Sequence, residues 1–130
     1  MTSEVAQALA ASLPVKDDDC KSDWISLVDL AVVGIEISQA HFRVQHYNPD
    51  ADGLNEPWAI LLPLDSSRQS GLPKAIYAST VRNAAAAYLD SRLRTGLSLG
   101  EARKLIDGSY TDAEVAGSIL QFALYGEEVY

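Results

Sequence analysis

Residues 79–126 read STVRNAAAAYLDSRLRTGLSLGEARKLIDGSYTDAEVAGSILQFALYG, and helix start and stop signals occur three times in succession within them. Ser79 or Thr80 can cap a first helix, because a side-chain hydroxyl accepts a hydrogen bond from a free backbone N–H at a helix start. Gly96 can end it, because glycine readily adopts the left-handed conformation that follows many helices. The spacing of Val81 and Tyr88 on this segment gives it one apolar face.

Two further helices carry the same signals, a hydroxyl cap, a glutamate three residues later and a terminal glycine. The second is marked by Ser98, Glu101 and Gly108, and the third by Thr111, Glu114 and Gly126, with Tyr110 placed to pack on Val115. The linkers between the helices are only about two to four residues long, which forces neighbouring helices to pack against each other. We therefore predict a three-helix C-terminal unit.

Residues 41–64 have a different period. Apolar and polar side chains alternate along residues 42–47, and residues 58–64 form a short apolar run. Residues 48–53, NPDADG, are a dense turn signal between them. The pattern predicts an antiparallel hairpin.

The segments on either side of the hairpin are less regular. We predict a helix from about Ser22 to Val32 and extended chain after Gly34, because Val33, Ile35 and Ile37 alternate with polar or small residues as a strand does. Residues 66–78, which include Gly71 and Pro73, are expected to form a loop.

Together these elements predict an α+β fold in one domain spanning residues 1–130. A small antiparallel sheet over about residues 41–64 is covered by the C-terminal three-helix unit, with a helical segment at the N-terminus. At 48% hydrophobic residues the chain has enough apolar material for one core, provided that sheet and helices share it. Residues 1–15 are expected to form a loosely attached N-terminal helix.

Charge is distributed unevenly. The net charge is −7 over residues 1–60, +3 over residues 61–108 and −4 over residues 109–130, for a total of −8. This excess of acid predicts that the protein is repelled by nucleic acid and by anionic membranes, since both bind through clustered lysine and arginine. A high-affinity partner is therefore expected to be basic.

The compartment follows from three features. Cys20 is the single cysteine, so no internal disulfide is possible. Residues 1–13 lack the basic start and continuous apolar run of a secretory signal. No apolar stretch approaches the roughly 20 residues that span a bilayer. We expect a cytoplasmic protein.

Metal sites are poorly supported by the sequence. Residues 48–53 match the opening of a calcium loop, but the twelfth position, which needs a carboxylate, is Ala59. We interpret the segment as a hairpin turn. His41 and His46 are five residues apart, which on a strand places them on opposite faces. We predict no metal and no cofactor.

Catalytic signatures are also missing. No serine lies in the Gly-x-Ser-x-Gly turn of hydrolases, no Gly-rich phosphate loop is present, and nothing selects one pair among the eighteen acids. The sequence favours a protein that is not an enzyme.

The acidic side chains form the candidate partner-binding set, because an array of carboxylates can imitate the phosphates of a duplex and occupy a basic groove. The set comprises Asp17, Asp18, Asp19, Asp23, Asp50, Asp52, Glu56, Glu127 and Glu128. The alternative is that acidic turns and ends only keep the protein in solution.

A basic cluster lies around the junction of the first two C-terminal helices and consists of Arg92, Arg94, Arg103 and Lys104. Such clusters are most often solvated and paired locally. Alternatively, this one contacts an acidic surface, either on a partner or on a second copy of the chain, and supports a homodimer.

The sequence thus predicts a small acidic, non-enzymatic binding protein that inhibits or neutralises a basic partner such as a nuclease or another nucleic-acid-binding complex. In size, charge and lack of catalytic motifs it is similar to the small acidic inhibitors carried by phages, including anti-CRISPR proteins, and to bacterial immunity proteins. The alternative is a structural or assembly subunit that self-associates.

Overall fold

The computed structural model of the protein describes residues 3–16, 25–38, 42–63, 72–107 and 113–126. Five helices and three strands lie in these ranges. In chain order they are α1 (Glu4–Ala11), α2 (Leu27–Ile37), β1 (Phe42–Tyr47), β2 (Ala59–Pro63), β3 (Lys74–Ile76), α3 (Ala78–Arg94), α4 (Leu99–Leu105) and α5 (Ala113–Tyr125). The predicted α+β class is confirmed.

The three strands form one antiparallel sheet in the order β1-β2-β3. The predicted hairpin is confirmed, with Phe42 opposite Pro63 and Tyr47 opposite Ala59. Along β2 every second residue is buried, as expected for a strand with one face on the core.

β1 is an edge strand whose last five residues are all exposed. Its pairing with β2 shifts between Val44 and His46, so that Gln45 forms a bulge without a partner across the ladder. Arg43 and His46 flank this bulge on the exposed strand.

The third strand corrects the prediction of a loop over residues 66–78. Lys74–Ile76 pair with β2, with Ile76 opposite Ala59, and Ile76 is fully buried. A strand of three residues is too short to show a period of two, so its pairing with β2 defines it rather than its own pattern. Residues 66–71 of the expected loop lie outside the described ranges.

The extended chain predicted after Gly34 is also wrong, because α2 continues through Ile37. The helix begins later than predicted, after Ser26, whose Oγ accepts a hydrogen bond from the Asp29 N–H at 3.1 Å. Gly34 lies in the middle of the helix against α5. A Cβ placed on it would be 2.8 Å from the carbonyl oxygen of Ala116, so this glycine permits close helix packing and does not end the helix.

The C-terminal helices are confirmed within the described residues. α3 begins at Ala78, slightly before the predicted caps, and Thr80 Oγ1 accepts the Tyr77 N–H at 3.2 Å. It ends as predicted, with Gly96 at φ +100°. Ser98 caps α4, accepting the Glu101 N–H at 3.2 Å.

α5 runs to Tyr125, and the terminal Gly126 has φ +78°. The predicted cap at Thr111 and the predicted packing of Tyr110 fall outside the described residues, as does Gly108. The order of helices and sheet nevertheless follows the prediction.

One hydrophobic core joins the sheet to the helices. The sheet contributes Leu61 and Ile76, Trp58 joins them directly before β2, and the largest helix contributions are buried side chains of α2, α3 and α5. Because each amphipathic element buries its apolar face against the others, sheet and helices depend on the same core.

α1 packs on α3 through small side chains. Ala6 and Ala10 are buried, and Leu13 is buried directly after the helix. Small residues on one helix face allow two helix backbones to approach closely. Whether residues 1–15 are loosely attached, as predicted, stays a prediction.

Two charged side chains of α3 contact the ends of α1. Asp90 Oδ1 accepts the Ser3 N–H at 3.0 Å at the start of α1, and Arg82 Nη2 donates to the Leu13 carbonyl at 3.4 Å beyond its end. The carboxylate thus meets the positive end of the helix dipole, and the guanidinium binds the chain just after the helix. Arg94 Nε lies 3.0 Å from Asp90 Oδ2. The Ser3 hydrogen bond, with a smaller contribution from Arg94, lowers the pKa of Asp90 below its ordinary value of 3.8.

Gly34→Ala should destabilise the protein by about 1–3 kcal/mol, because the added methyl group overlaps the α5 backbone and the helices must separate. Gly100→Ala is the matched control. Gly100 lies in the first turn of α4 with no atom near the position of a Cβ, so alanine should stabilise by about 0.4–1 kcal/mol. Urea unfolding measures the stability of both variants. If Gly34→Ala were as stable as Gly100→Ala, the close packing of α2 on α5 would be contradicted.

Asp90→Asn should lower stability at neutral pH and flatten its acid dependence. A carboxylate with a lowered pKa contributes fully above about pH 4 and loses its contribution as the pH falls through the folded-state pKa. The free energy of unfolding of the wild type should therefore fall more steeply than that of the variant between about pH 5 and pH 2. Asp50→Asn, on the surface, is the control; parallel curves for wild type and Asp90→Asn would show that Asp90 does not hold α1.

Candidate interaction site

The turn between β1 and β2 is built on Trp58, which is fully buried. The indole Nε1 donates a hydrogen bond to the carbonyl of Ala51 at 2.8 Å, so the ring holds the turn from the side of the core. Gly53 crosses the ring with φ +73°, and a Cβ on it would lie 2.4 Å from the ring atom Cζ2. Only glycine meets both constraints, the left-handed backbone and the close approach. We call residues 48–57 the acidic loop.

Asp52 organises the second half of the acidic loop. Its Oδ1 accepts the backbone N–H groups of Glu56 at 3.0 Å, Leu54 at 2.9 Å and Asn55 at 2.9 Å. These hydrogen bonds, led by those from Glu56 and Leu54, lower the pKa of Asp52, and the charge of Lys16 adds to the effect. Asp52 therefore remains ionised and fixes the loop conformation.

Hydrogen bonds also tie the acidic loop to the rest of the fold. The carbonyl of Gly53 accepts the Ala78 N–H at 2.7 Å at the first turn of α3, and the Trp58 N–H donates to Ile76 O at 2.9 Å. Lys16 Nζ donates to Asp50 O at 3.3 Å from the other side. The loop is thus held by α3, by β3 and by the segment after α1.

The outer surface of the acidic loop carries charge and one apolar side chain. Asp50, Asp52 and Glu56 are exposed. Leu54 lies between them in the chain and is 65% exposed. A leucine among carboxylates on a rigid loop is suited to contact a protein surface that combines an apolar depression with basic groups.

The geometry of the loop oxygens differs from that of a calcium site. Asn48 Oδ1 accepts the Asp50 N–H at 3.2 Å, and Asp52 Oδ1 faces three backbone donors rather than the other acids. Among the described residues, no group of three or more histidine, cysteine, aspartate or glutamate side chains is placed to hold a metal ion. His46 is exposed on β1, and His41 lies outside those residues.

Three of the nine sequence-predicted acids are therefore brought together by the structure, namely Asp50, Asp52 and Glu56. The other six lie outside the described residues: Asp17, Asp18, Asp19, Asp23, Glu127 and Glu128. Their role in binding stays a prediction. Lys16 and Trp58, which support the loop, were missed as site residues: Lys16 lies 34 residues from Asp50 in the chain, and Trp58, although adjacent to the loop, reads as part of the apolar run that follows it.

Members of the basic cluster form contacts within the chain. Arg94 forms the ion pair with Asp90, and the Arg92 guanidinium lies over the Tyr88 ring, 4.9 Å from its centroid. Arg103 and Lys104 are exposed in the last turn of α4. The self-association predicted for these four residues stays a prediction.

Comparison with known protein families, curated proteins and solved structures finds no match to this chain. Among the described residues, none of the helices is both long enough and apolar enough to cross a bilayer. The fold and the loop together define a small α+β protein that presents three carboxylates and a leucine on a well-bonded turn.

Gly53→Ala should destabilise the protein by roughly 2–5 kcal/mol, because alanine adds both left-handed strain and a clash with the Trp58 ring. Gly96→Ala isolates the first effect, since Gly96 has positive φ but open space around it, and should cost about 1–2 kcal/mol. Urea unfolding with tryptophan fluorescence reports both. If the two variants lose the same stability, the ring does not support the loop as described.

Proposed function

We propose that the protein is a small, non-enzymatic, acidic binding protein of the cytoplasm that inhibits or neutralises a basic partner. The acidic loop is its contact surface, and the partner is a nuclease or another nucleic-acid-binding complex, as in anti-CRISPR-type inhibition. The observation that carries this proposal is the fixed display of Asp50, Asp52 and Glu56 around the exposed Leu54.

The rigidity of the loop supports a binding role. Immobilising a flexible loop on binding costs free energy, whereas a loop already held by Trp58 and Asp52 avoids most of that loss. Its carboxylates favour the approach of a positively charged surface, and the effect weakens as salt screens the charges. Leu54 supplies exposed apolar contact area between the carboxylates.

The three consecutive aspartates after Lys16 extend the acidic loop as a contact surface. Lys16 contacts the acidic loop at Asp50, and Asp17, Asp18 and Asp19 follow Lys16 directly in the chain. With Asp23 they supply further negative charge for a groove that normally binds phosphates. The carboxylates then occupy the positions in the partner's groove where the phosphates of nucleic acid would bind.

The competing function, a self-associating assembly subunit, uses the basic cluster. The contacts of Arg92 with Tyr88 and of Arg94 with Asp90 give these cations partners within the chain, which favours the binding protein over the assembly subunit. Mass measured by light scattering at micromolar concentration and low salt separates the two. A monomer supports the binding protein, and growth into dimers or larger species supports the subunit.

The double variant Asp50→Asn/Glu56→Gln should bind the partner with a roughly 3- to 10-fold lower association rate, because two carboxylates of the loop lose their charge. Asp52 is left intact so that the loop keeps its conformation. The partner is first captured from an extract of the native host on immobilised wild-type protein. Association rates of the purified partner are then measured by surface plasmon resonance at several salt concentrations.

Glu4→Gln/Glu114→Gln is the matched control, since it removes the same charge from exposed positions on α1 and α5. It should keep a near wild-type association rate. Equal rates for both double variants would remove the acidic loop from the interface. An association rate independent of salt would contradict electrostatic recognition, and failure of duplex DNA to compete would exclude a nucleic-acid groove as the target.

A further inference from the structure

The bulge at Gln45 decides which face of the sheet Tyr47 occupies. In a regular strand, residues three positions apart point to opposite faces. Here Val44 pairs with Leu61 and Tyr47 pairs with Ala59, and both partners are fully buried on the core side of β2. Because directly paired residues point to the same face, the bulge brings Val44 and Tyr47 together on the core-facing side of β1.

The core covers only the beginning of this face of β1. Phe42 is 3% exposed, whereas Val44 is 42% and Tyr47 is 43% exposed. Arg43 and His46, the basic residues of β1, pair with the partly buried residues of β2 and point to the opposite face of the sheet. Val44 and Tyr47 therefore form an open apolar surface, which we call the β1 patch.

Carboxylates adjoin the β1 patch. Burial raises the pKa of the Tyr47 phenol, and the charge of Glu36 on α2 raises it further, so this exposed carboxylate lies close enough to act on the tyrosine. The acidic loop begins directly after Tyr47, and its Gly53 carbonyl accepts a hydrogen bond from the start of α3. Lys16 is bonded to the loop at Asp50 O. An approaching cation thus finds acidic groups beside the tyrosine ring.

We infer that the β1 patch binds an arginine side chain of the basic partner. The arginine belongs to the partner of the proposed function, on which the inference rests. A guanidinium stacks on the face of a tyrosine ring, and it does so better than an ammonium group. The same contact occurs within the chain, where the Arg92 guanidinium lies 4.9 Å from the centroid of the Tyr88 ring. Glu36 supplies the opposite charge, and Val44 supplies apolar area for the stem of the arginine.

The test needs only a peptide as the probe. A peptide of four residues with blocked ends, alternating leucine and arginine, is titrated into the ¹³C,¹⁵N-labelled full chain. The same peptide with lysine in place of arginine keeps the charge and is its control. The ring signals of Tyr47 are identified by their loss in Tyr47→Leu. The arginine peptide should shift these signals and the Val44 methyl signals with saturation, and the lysine peptide should bind several-fold more weakly.

Three variants locate the site. Tyr47→Leu keeps an apolar side chain but removes the ring, and it should weaken the arginine peptide roughly 3- to 10-fold, as followed by the Val44 methyl signals. Glu36→Gln should weaken it roughly 2- to 3-fold and should also lower the pKa of Tyr47, since Glu36 raises it. Leu99→Ala, at an exposed apolar position on α4, is the control and should bind as the wild type does.

Several outcomes would overturn the inference. Equal binding of the arginine and lysine peptides would show a charge effect only, and undiminished binding by Tyr47→Leu would place the peptide elsewhere. Tyr47 signals that change with protein concentration before any peptide is added would assign the β1 patch to a second copy of the chain. Failure of the peptide to bind would overturn the arginine site and leave the acidic loop as a contact surface. Peptide binding together with an unchanged partner association rate for Asp50→Asn/Glu56→Gln would support the arginine site and contradict the proposed function.

Discussion

The hydrogen bond between the Trp58 indole and the Ala51 carbonyl joins the core of this protein to its charged surface. Trp58 is the largest fully buried side chain among the residues that the structure describes, so the ring is fixed by the packing around it. The backbone on either side of the ring connects to β3 and, through Gly53, to the first turn of α3. Surface carboxylates are thereby placed by core packing, which is why an exposed turn can keep one conformation.

On the other side of the fold, α3 is the helix that holds its neighbours in place. It packs against α1, α2 and α5, and its Asp90 and Arg82 meet the two ends of α1 with opposite charge. These two contacts tie the start of α1 and the segment after its end to α3. The alanines of α3 and Gly34 of α2 are small residues at helix contacts. They allow the backbones of the packed helices to approach closely.

Local signals in the sequence were sufficient for the elements whose ends are set by neighbours in the chain. Gly96 ends α3, and Ser98 with Glu101 begins α4, because caps involve residues only a few positions apart. The turn and its acids were predicted for the same reason. The extent of α2 and the presence of β3 were not, since Gly34 and Ile76 take their roles from α5 and β2. The contacts of Ser3 with Asp90 and of Arg82 with Leu13 join residues 87 and 69 positions apart and have no local pattern.

The bulge at Gln45 affects the tendency of the protein to aggregate at high concentration. An exposed edge strand offers free backbone groups to any other extended chain and is a common starting point for sheet extension and aggregation. The irregular pairing at Gln45 interrupts that row of groups, and the charge of Arg43 beside it repels a second β1 approaching in the same register. β1 can therefore remain open to solvent without acting as a template for fibre growth.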